Sequence, residues 1–312
     1  MNRAGLGGYR TTQRMVTRHT MDMTRTQKLR RITEKIIGLP TLPTIVTQLI
    51  SLVGNPKSSA RDVAQLISTD QALTAKILKV ANSAFYGFPR KIATVQLAIV
   101  VLGFEAVKNL GLSVAVLKRF SSGADHELFD RQRFWEHAIG TGVAARQLAK
   151  RGGYSNADEA FVAGILHDIG KLILIEYFFD EFAEALERAE ADEITIAEAE
   201  EIVLGVTHAE VGGWLAEKWN LPPSLVETIT HHHHPGTLAE PEPTLFLIHM
   251  ADNLVRHRGM GGSGDSRGPS IDPVVAAHFK KGEDLSDEDL LARLSEGLDE
   301  EIEKAQIFRE FA

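Results

Sequence analysis

The 312-residue chain has no cysteine. Disulfides and thiolate ligands are excluded, so any metal site must be built from imidazole nitrogen and carboxylate oxygen. A long uninterrupted apolar run is also missing. The longest apolar stretch, Leu97 to Leu117, is broken by Glu105, Lys108 and Asn109, which suits a pair of core helices better than a membrane span. The N-terminus carries no apolar h-region, so no secretory signal is expected and the protein reads as cytoplasmic. Positive charge is not in excess: 34 Lys and Arg against 42 Asp and Glu leave a formal net charge of -8. That balance argues against a dedicated nucleic-acid binder. No P-loop or dinucleotide fingerprint occurs, and no stretch shows the sustained period-two alternation of a sheet.

What is present is an ordinary globular composition, 44% hydrophobic and 24% charged, enough for one large or two modest domains. Residues 1–27 are rich in arginine without an apolar period and are expected to form a flexible basic arm, able to touch an acidic partner. From Leu39 the pattern turns helical. Thr44 is expected to cap a helix over Ile45 to Val53, Asp70 one over Ala72 to Ala81, and Gly103 to hinge two apolar helices. Phe134 to Arg151 reads as a long helix stopped by Gly152 and Gly153, and Asn156 with Glu159 as a capping box for the next. Gly103, Gly111 and Gly170 read as close-packing or boundary positions. The fold expected is all-α, in two helical lobes over residues 28–125 and 126–258. A flexible Gly/Ser linker at 259–272 and an acidic helical tail at 273–312 follow, the tail either packed on the body or free for a partner.

The most informative residues are His167 and Asp168, a titratable pair inside an apolar helical run from Ala160 to Leu174. A buried ionised carboxylate is costly, so Asp168 must be exposed, protonated, paired with a cation such as Lys171 at i+3, or bound to metal. Further imidazoles and a carboxylate recur downstream at His208, His231 to His234, and Asp252. His231 and His234 read as surface residues, and His249 as a packed core histidine.

Six motifs in order carry a family resemblance. They are Leu39-Pro40-Thr41-Leu42-Pro43, Ala81-Asn82-Ser83-Ala84-Phe85-Tyr86-Gly87, Leu102-Gly103, Ala163-Gly164-Ile165-Leu166-His167-Asp168-Ile169-Gly170-Lys171-Leu172, His208-Ala209-Glu210-Val211-Gly212 and Trp219-Asn220-Leu221-Pro222. Over about residues 36–257 the chain resembles the HDOD family, a signalling output module related to the HD phosphohydrolases. Gln71 departs from the family, which usually has proline there. The resemblance implies that the second lobe is an HD-superfamily helical bundle carrying a histidine/aspartate site. It further implies that His137, His167, Asp168 and Asp252 hold one metal ion, and that Asp168 bridges to a second held by His208, His232 and His233. One or two divalent ions, of iron, manganese, zinc or nickel, are the cofactors so implied.

Two functions compete. The first is a signal-transduction module acting through a regulatory protein partner or a nucleotide ligand, with Phe85 and Tyr86 either exposed interface anchors or packing between the lobes. The second is a metal-dependent phosphohydrolase in which Asp168 and Lys171 would be catalytic, Lys171 reaching a phosphate oxygen. Cyclic-dinucleotide hydrolysis is disfavoured, because Pro235-Gly236-Thr237 stands where a Gly-Tyr-Pro element would follow the paired histidines. Nucleic-acid binding through the basic arm is the weakest reading, no membrane contact is expected, and the oligomeric state is open.

Overall fold

A computed structural model describes residues 32, 34, 41–53, 55, 57–121, 128–262, 264–265 and 267–312. The expected arm at 1–27, Leu39, Pro40 and part of the expected linker lie outside the described residues. The chain is all-α, and no strand occurs among the described residues.

The first lobe comprises α1 (Thr44–Val53), α2 (Ala60–Ser68), α3 (Gln71–Ala81), α4 (Val95–Leu102) and α5 (Phe104–Phe120). Side-chain caps set the starts: Ser59 and Asp62 form a capping box on α2, Asp70 accepts from Leu73 N on α3, and Thr94 accepts from Leu97 N on α4. Asp70 caps without a following proline, so Gln71 leaves the helix start intact. Thr44 does not cap α1. It is the first helical residue, and the carbonyl of Pro43 takes the amides of Val46 and Thr47 at 2.8 and 3.2 Å. Gly103, at φ 93°, turns the chain through a bend of 119° between α4 and α5. Every residue of α5 from Asn109 to Leu117 is buried, which makes it the inner helix of this lobe.

The second lobe comprises α6 (Arg131–Gly152), α7 (Ala157–Leu166), α8 (Ile169–Tyr177), α9 (Phe179–Ala191), α10 (Ile196–Val203), α11 (His208–Lys218), α12 (Pro223–His231) and α13 (Pro243–His257). Its axis is α6, buried on all sides from His137 to Ala149 and packed on α7 and α13. The α6/α7 contact is backbone on backbone: a Cβ at Gly164 would lie 2.4 Å from Gly142 Cα. The expected capping box at Asn156 is absent. Asn156 makes no side-chain cap, and Glu159 instead takes the Ser224 hydroxyl at 2.6 Å.

The segment expected as a free linker lies against the second lobe wherever it is described. Gly262 N donates to Arg133 O, Arg133 Nη2 donates to Gly261 O, both at 2.9 Å, and Arg256 Nη2 donates to the carbonyls of Arg267 and Gly268. The tail, α14 (Pro273–Lys280), α15 (Asp287–Leu294) and α16 (Leu298–Lys304), also packs back on the body. Its anchor is Phe308, whose ring centroid lies 4.7 Å from that of Phe161 and 5.1 Å from that of Phe85. Phe85 is therefore core, with the Arg146 guanidinium 4.0 Å above its ring and Tyr86 edge-on at 5.1 Å. The reading of Phe85 and Tyr86 as exposed anchors fails, because this ring cluster joins the lobes and the tail. No single helix among the described residues is long and apolar enough to cross a membrane.

Phe308 is fully buried. Phe308→Ala is expected to cost about 3 to 5 kcal/mol. Urea denaturation measures this, and a loss below about 1 kcal/mol would show that the tail is not part of the core.

Candidate metal centre

The sequence predicts one continuous helix through His167 and Asp168. The structure breaks it there: α7 ends at Leu166, α8 begins at Ile169, and Asp168 sits at φ -98°, ψ 9°. His167 Nδ1 donates to Gly164 O at 2.7 Å. That carbonyl is the one the amide of residue 168 would need to continue the helix, so the imidazole competes with the next turn. The break lets neighbouring side chains, which would diverge by about 100° on a helix, face one place. Gly170 brings the next wall close. A Cβ there would stand 1.9 Å from His208 O, so only glycine lets the start of α8 lie on the start of α11.

Five parts of the second lobe then converge. His137 comes from α6, His167 and Asp168 from the break, His208 from the first turn of α11, His232 and His233 from the end of α12, and Asp252 from α13. The ligand atoms form two adjoining groups that could each hold an ion, Asp168 with His208, His232 and His233, and His137 with His167 and Asp252. Within each group these atoms lie within 4.8 Å of one another. Asp168 spans both: Oδ1 is 3.1 Å from His208 Nε2 and 3.6 Å from His232 Nε2, while Oδ2 is 3.4 Å from His167 Nε2 and 3.9 Å from His137 Nε2. All seven residues singled out as ligands are brought together. All are buried except His233, which is half-buried.

The donor set fits a divalent ion on a specific observation. His137 Nε2, His167 Nε2, His232 Nε2 and Asp168 Oδ1 are buried without an aligned hydrogen bond, although neighbours lie 3.0 to 3.6 Å away. Buried polar atoms are nearly always paired, so lone pairs converging on a shared point suit coordination of an ion. The opposite ring nitrogen is held in three of the imidazoles, and His137 Nδ1 is also buried without a partner. Nδ1 of His167, His208 and His232 donate to Gly164 O, Glu200 Oε2 and Ile229 O at 2.7, 2.7 and 2.9 Å, which turns each Nε2 inward.

Two supporting residues were missed in the sequence. Glu200 is fully buried and also takes the His208 amide at 2.7 Å; its sign is an acidic residue on the inner face of α10. His249 proves to be the packed core histidine expected, but it also positions the site. Its Nδ1 donates to His232 O at 2.7 Å and its Nε2 accepts from Asp272 N at 2.8 Å. His231 is half-buried and His234 exposed, both apart from the two groups. Lys171 makes the i+3 pairing that the sequence allowed: it is buried, with Nζ 2.6 Å from Asp168 Oδ2.

The electrostatics follow from burial set against neighbours. Burial opposes charge on Asp168, but His167, Lys171 and the close His208 and His232 rings outweigh it and hold the carboxyl well below its usual range. Asp252 is likewise depressed, burial being overcome by His137 and Arg256. Burial lowers His167 to about 4. His208 goes the other way: burial disfavours its charge, yet Glu200 dominates and raises it to about 9. His233, 2.9 Å away, is pushed down by burial and by His232 and His208, so His208 holds the proton that the two share.

The HDOD domain family model matches residues 39–235. The chain belongs to the HDOD family. The match covers six of the seven ligand candidates and ends before Asp252. An uncharacterised protein of Treponema pallidum (strain Nichols) is 30% identical over 251 residues, covering 79% of this chain and 48% of that protein. The chain thus spans about half the length of this curated relative. Among solved structures, an HDOD domain protein with unknown function from Geobacter sulfurreducens matches with a TM-score of 0.73 at 27% identity, over 90% of this chain and 98% of that one. A Shewanella amazonensis protein given the provisional name phosphohydrolase matches with a TM-score of 0.65 at 25% identity, over 93% and 99%.

Without metal, His208 keeps its proton up to about pH 9, so an ion must displace it. Zinc or manganese affinity, measured by competition with a chromogenic chelator, should rise roughly tenfold per pH unit below that value and level off above it. Glu200→Ala should weaken binding by about 10- to 100-fold. Affinity independent of pH between 6 and 8 would contradict the assignment of His208.

Proposed function

We propose that this HDOD protein is a signal-transduction output module whose histidine/aspartate cluster holds one or two divalent ions and which acts by binding a regulatory protein partner or a nucleotide. The observation that carries the reading is enclosure. Six of the seven ligand candidates are enclosed, His137, His167, Asp168, His208 and His232 at 0 to 1% exposed and Asp252 at 5%, with His233 half-buried, whereas a catalytic metal keeps a position open to water and substrate. Lys171 adds to this by occupying Asp168 Oδ2, the oxygen that faces His137 and His167. On this reading the centre ties α6, α8, α11, α12 and α13 together, and the surfaces of the lobes do the signalling.

The second reading is a metal-dependent phosphohydrolase, favoured by the full donor set and by a cleft of about 550 Å³ that reaches His137 and includes Arg133 and Arg256. A bound ion pair supplies a water of lowered pKa and positive charge at phosphorus. The chain's own contributions would be Lys171, which keeps Asp168 ionised, Arg256, 3.7 Å from Asp252, and the 259–262 segment, which limits water at His137.

Protein purified without chelator should carry divalent metal, Asp168→Ala should lose most of it, and wild type should turn over no phosphoester in a broad screen. Metal-dependent turnover abolished in Asp168→Ala would promote the hydrolase reading. Metal-free wild type from both aerobic and anaerobic preparations would remove the centre from either.

A further inference from the structure

In the first lobe, away from the metal centre, a cavity of about 390 Å³ opens between α1, α3 and α5. Its inner wall is apolar, formed by Val46, Leu73, Val114 and Ala115, all buried. Its charged groups are Lys76, Lys118, Arg119 and Asp70. Among the described residues, none of the three cations is ion-paired with a carboxylate, whereas Lys79, on the same helix as Lys76, pairs with Glu310. Aromatic faces hold two of them instead: Lys76 Nζ lies 4.8 Å from the Phe311 ring centroid and the Arg119 guanidinium 5.3 Å from that of Phe120. Asp70 is partly committed, with Oδ1 accepting from Leu73 N at 2.9 Å. Three cations against one carboxylate leave the cavity at +2. Burial first, and then the Lys118 charge, push Lys76 below the usual lysine range against the pull of Asp70.

We propose that this cavity binds a small phosphate monoester with an apolar body, on the scale of a nucleoside monophosphate, the phosphate on Lys76, Lys118 and Arg119 and the body against Val46, Leu73 and Val114. The charges match, since a phosphate monoester dianion offsets +2 and offers oxygens to each cation. The volume matches as well, lying at the small-ligand end of the range for binding pockets. An acidic peptide would satisfy the charge, but it would need a longer groove than a cavity of about 390 Å³. The assignment rests on the nucleotide branch of the regulatory reading and is independent of the metal centre.

Isothermal titration of the full chain at pH 8 and low salt, with AMP, inorganic phosphate and an acidic peptide as probes, tests it. AMP should bind saturably at one per chain and at least about tenfold more tightly than inorganic phosphate, because the apolar wall adds to the phosphate contacts. Lys76→Ala with Lys118→Ala should weaken AMP by at least about tenfold. Metal content and urea midpoint should be unchanged in that variant, which separates loss of this site from loss of fold or of the metal centre. Ala115→Leu, which fills the cavity and keeps every charge, should also abolish AMP binding. Absence of saturable AMP binding, AMP binding that survives both variants, or binding of the acidic peptide in place of AMP would overturn the proposal. Metal loss in wild type would sink the centre and leave this assignment standing.

Discussion

A carboxylate withdrawn from water must be compensated on every side, and the second lobe is organised around meeting that demand at Asp168. The residue is 1% exposed and stays ionised because Lys171, His208, His232 and His167 surround it. Each neighbour arrives on a different element. The close helix contacts that deliver them depend on missing side chains at Gly164 and Gly170, where a Cβ would strike the backbone of α6 and α11. Buried ion pairs add little net stability compared with a well-packed apolar core. Two buried aspartates, a buried lysine and four buried imidazoles in one place are thus a costly arrangement whose return is chemistry or specificity.

Preorganisation is the second consequence. Three of the imidazoles have Nδ1 tied to a carbonyl or to Glu200, so rotation and tautomer are set before any ion arrives. The same scaffolding reaches well beyond the cluster. His249 connects the carbonyl of His232 to the amide of Asp272, and Asp272 in turn caps α14 and accepts from Gly236 N. The position of His232 is therefore tied to the chain that follows the 259–268 segment. Across the molecule, Arg146 stacks on Phe85, donates to its carbonyl at 3.2 Å and pairs with Asp158, joining first and second lobes through one side chain.

Much of this was legible in the sequence, for reasons that are local. Helical periodicity, Asp70 as a cap, Gly103 as a hinge and Gly153 as a stop depend on neighbouring residues and came out as read. The seven ligand candidates were found because polar residues at apolar positions are conspicuous and because their order resembles a family pattern. What failed depended on distant partners. Asn156 turns its amide onto one oxygen of Glu159 instead of capping, the other oxygen being held by Ser224, 65 residues away, and Phe85 left the surface because Phe308 covers it.

By itself, the sequence determined the all-α class, the absence of thiolate ligands, and which histidines and aspartates are out of place in an apolar setting. Tertiary structure decided the rest. It broke the helix at His167 and Asp168, turned Lys171 inward onto the carboxylate, put Glu200 behind His208, folded the glycine-rich segment onto Arg133 and Arg256, and left Lys76, Lys118 and Arg119 around one cavity. Propensity and capping act within a turn or two of helix, whereas burial, charge compensation and backbone approach are set by residues that meet only after the helices pack.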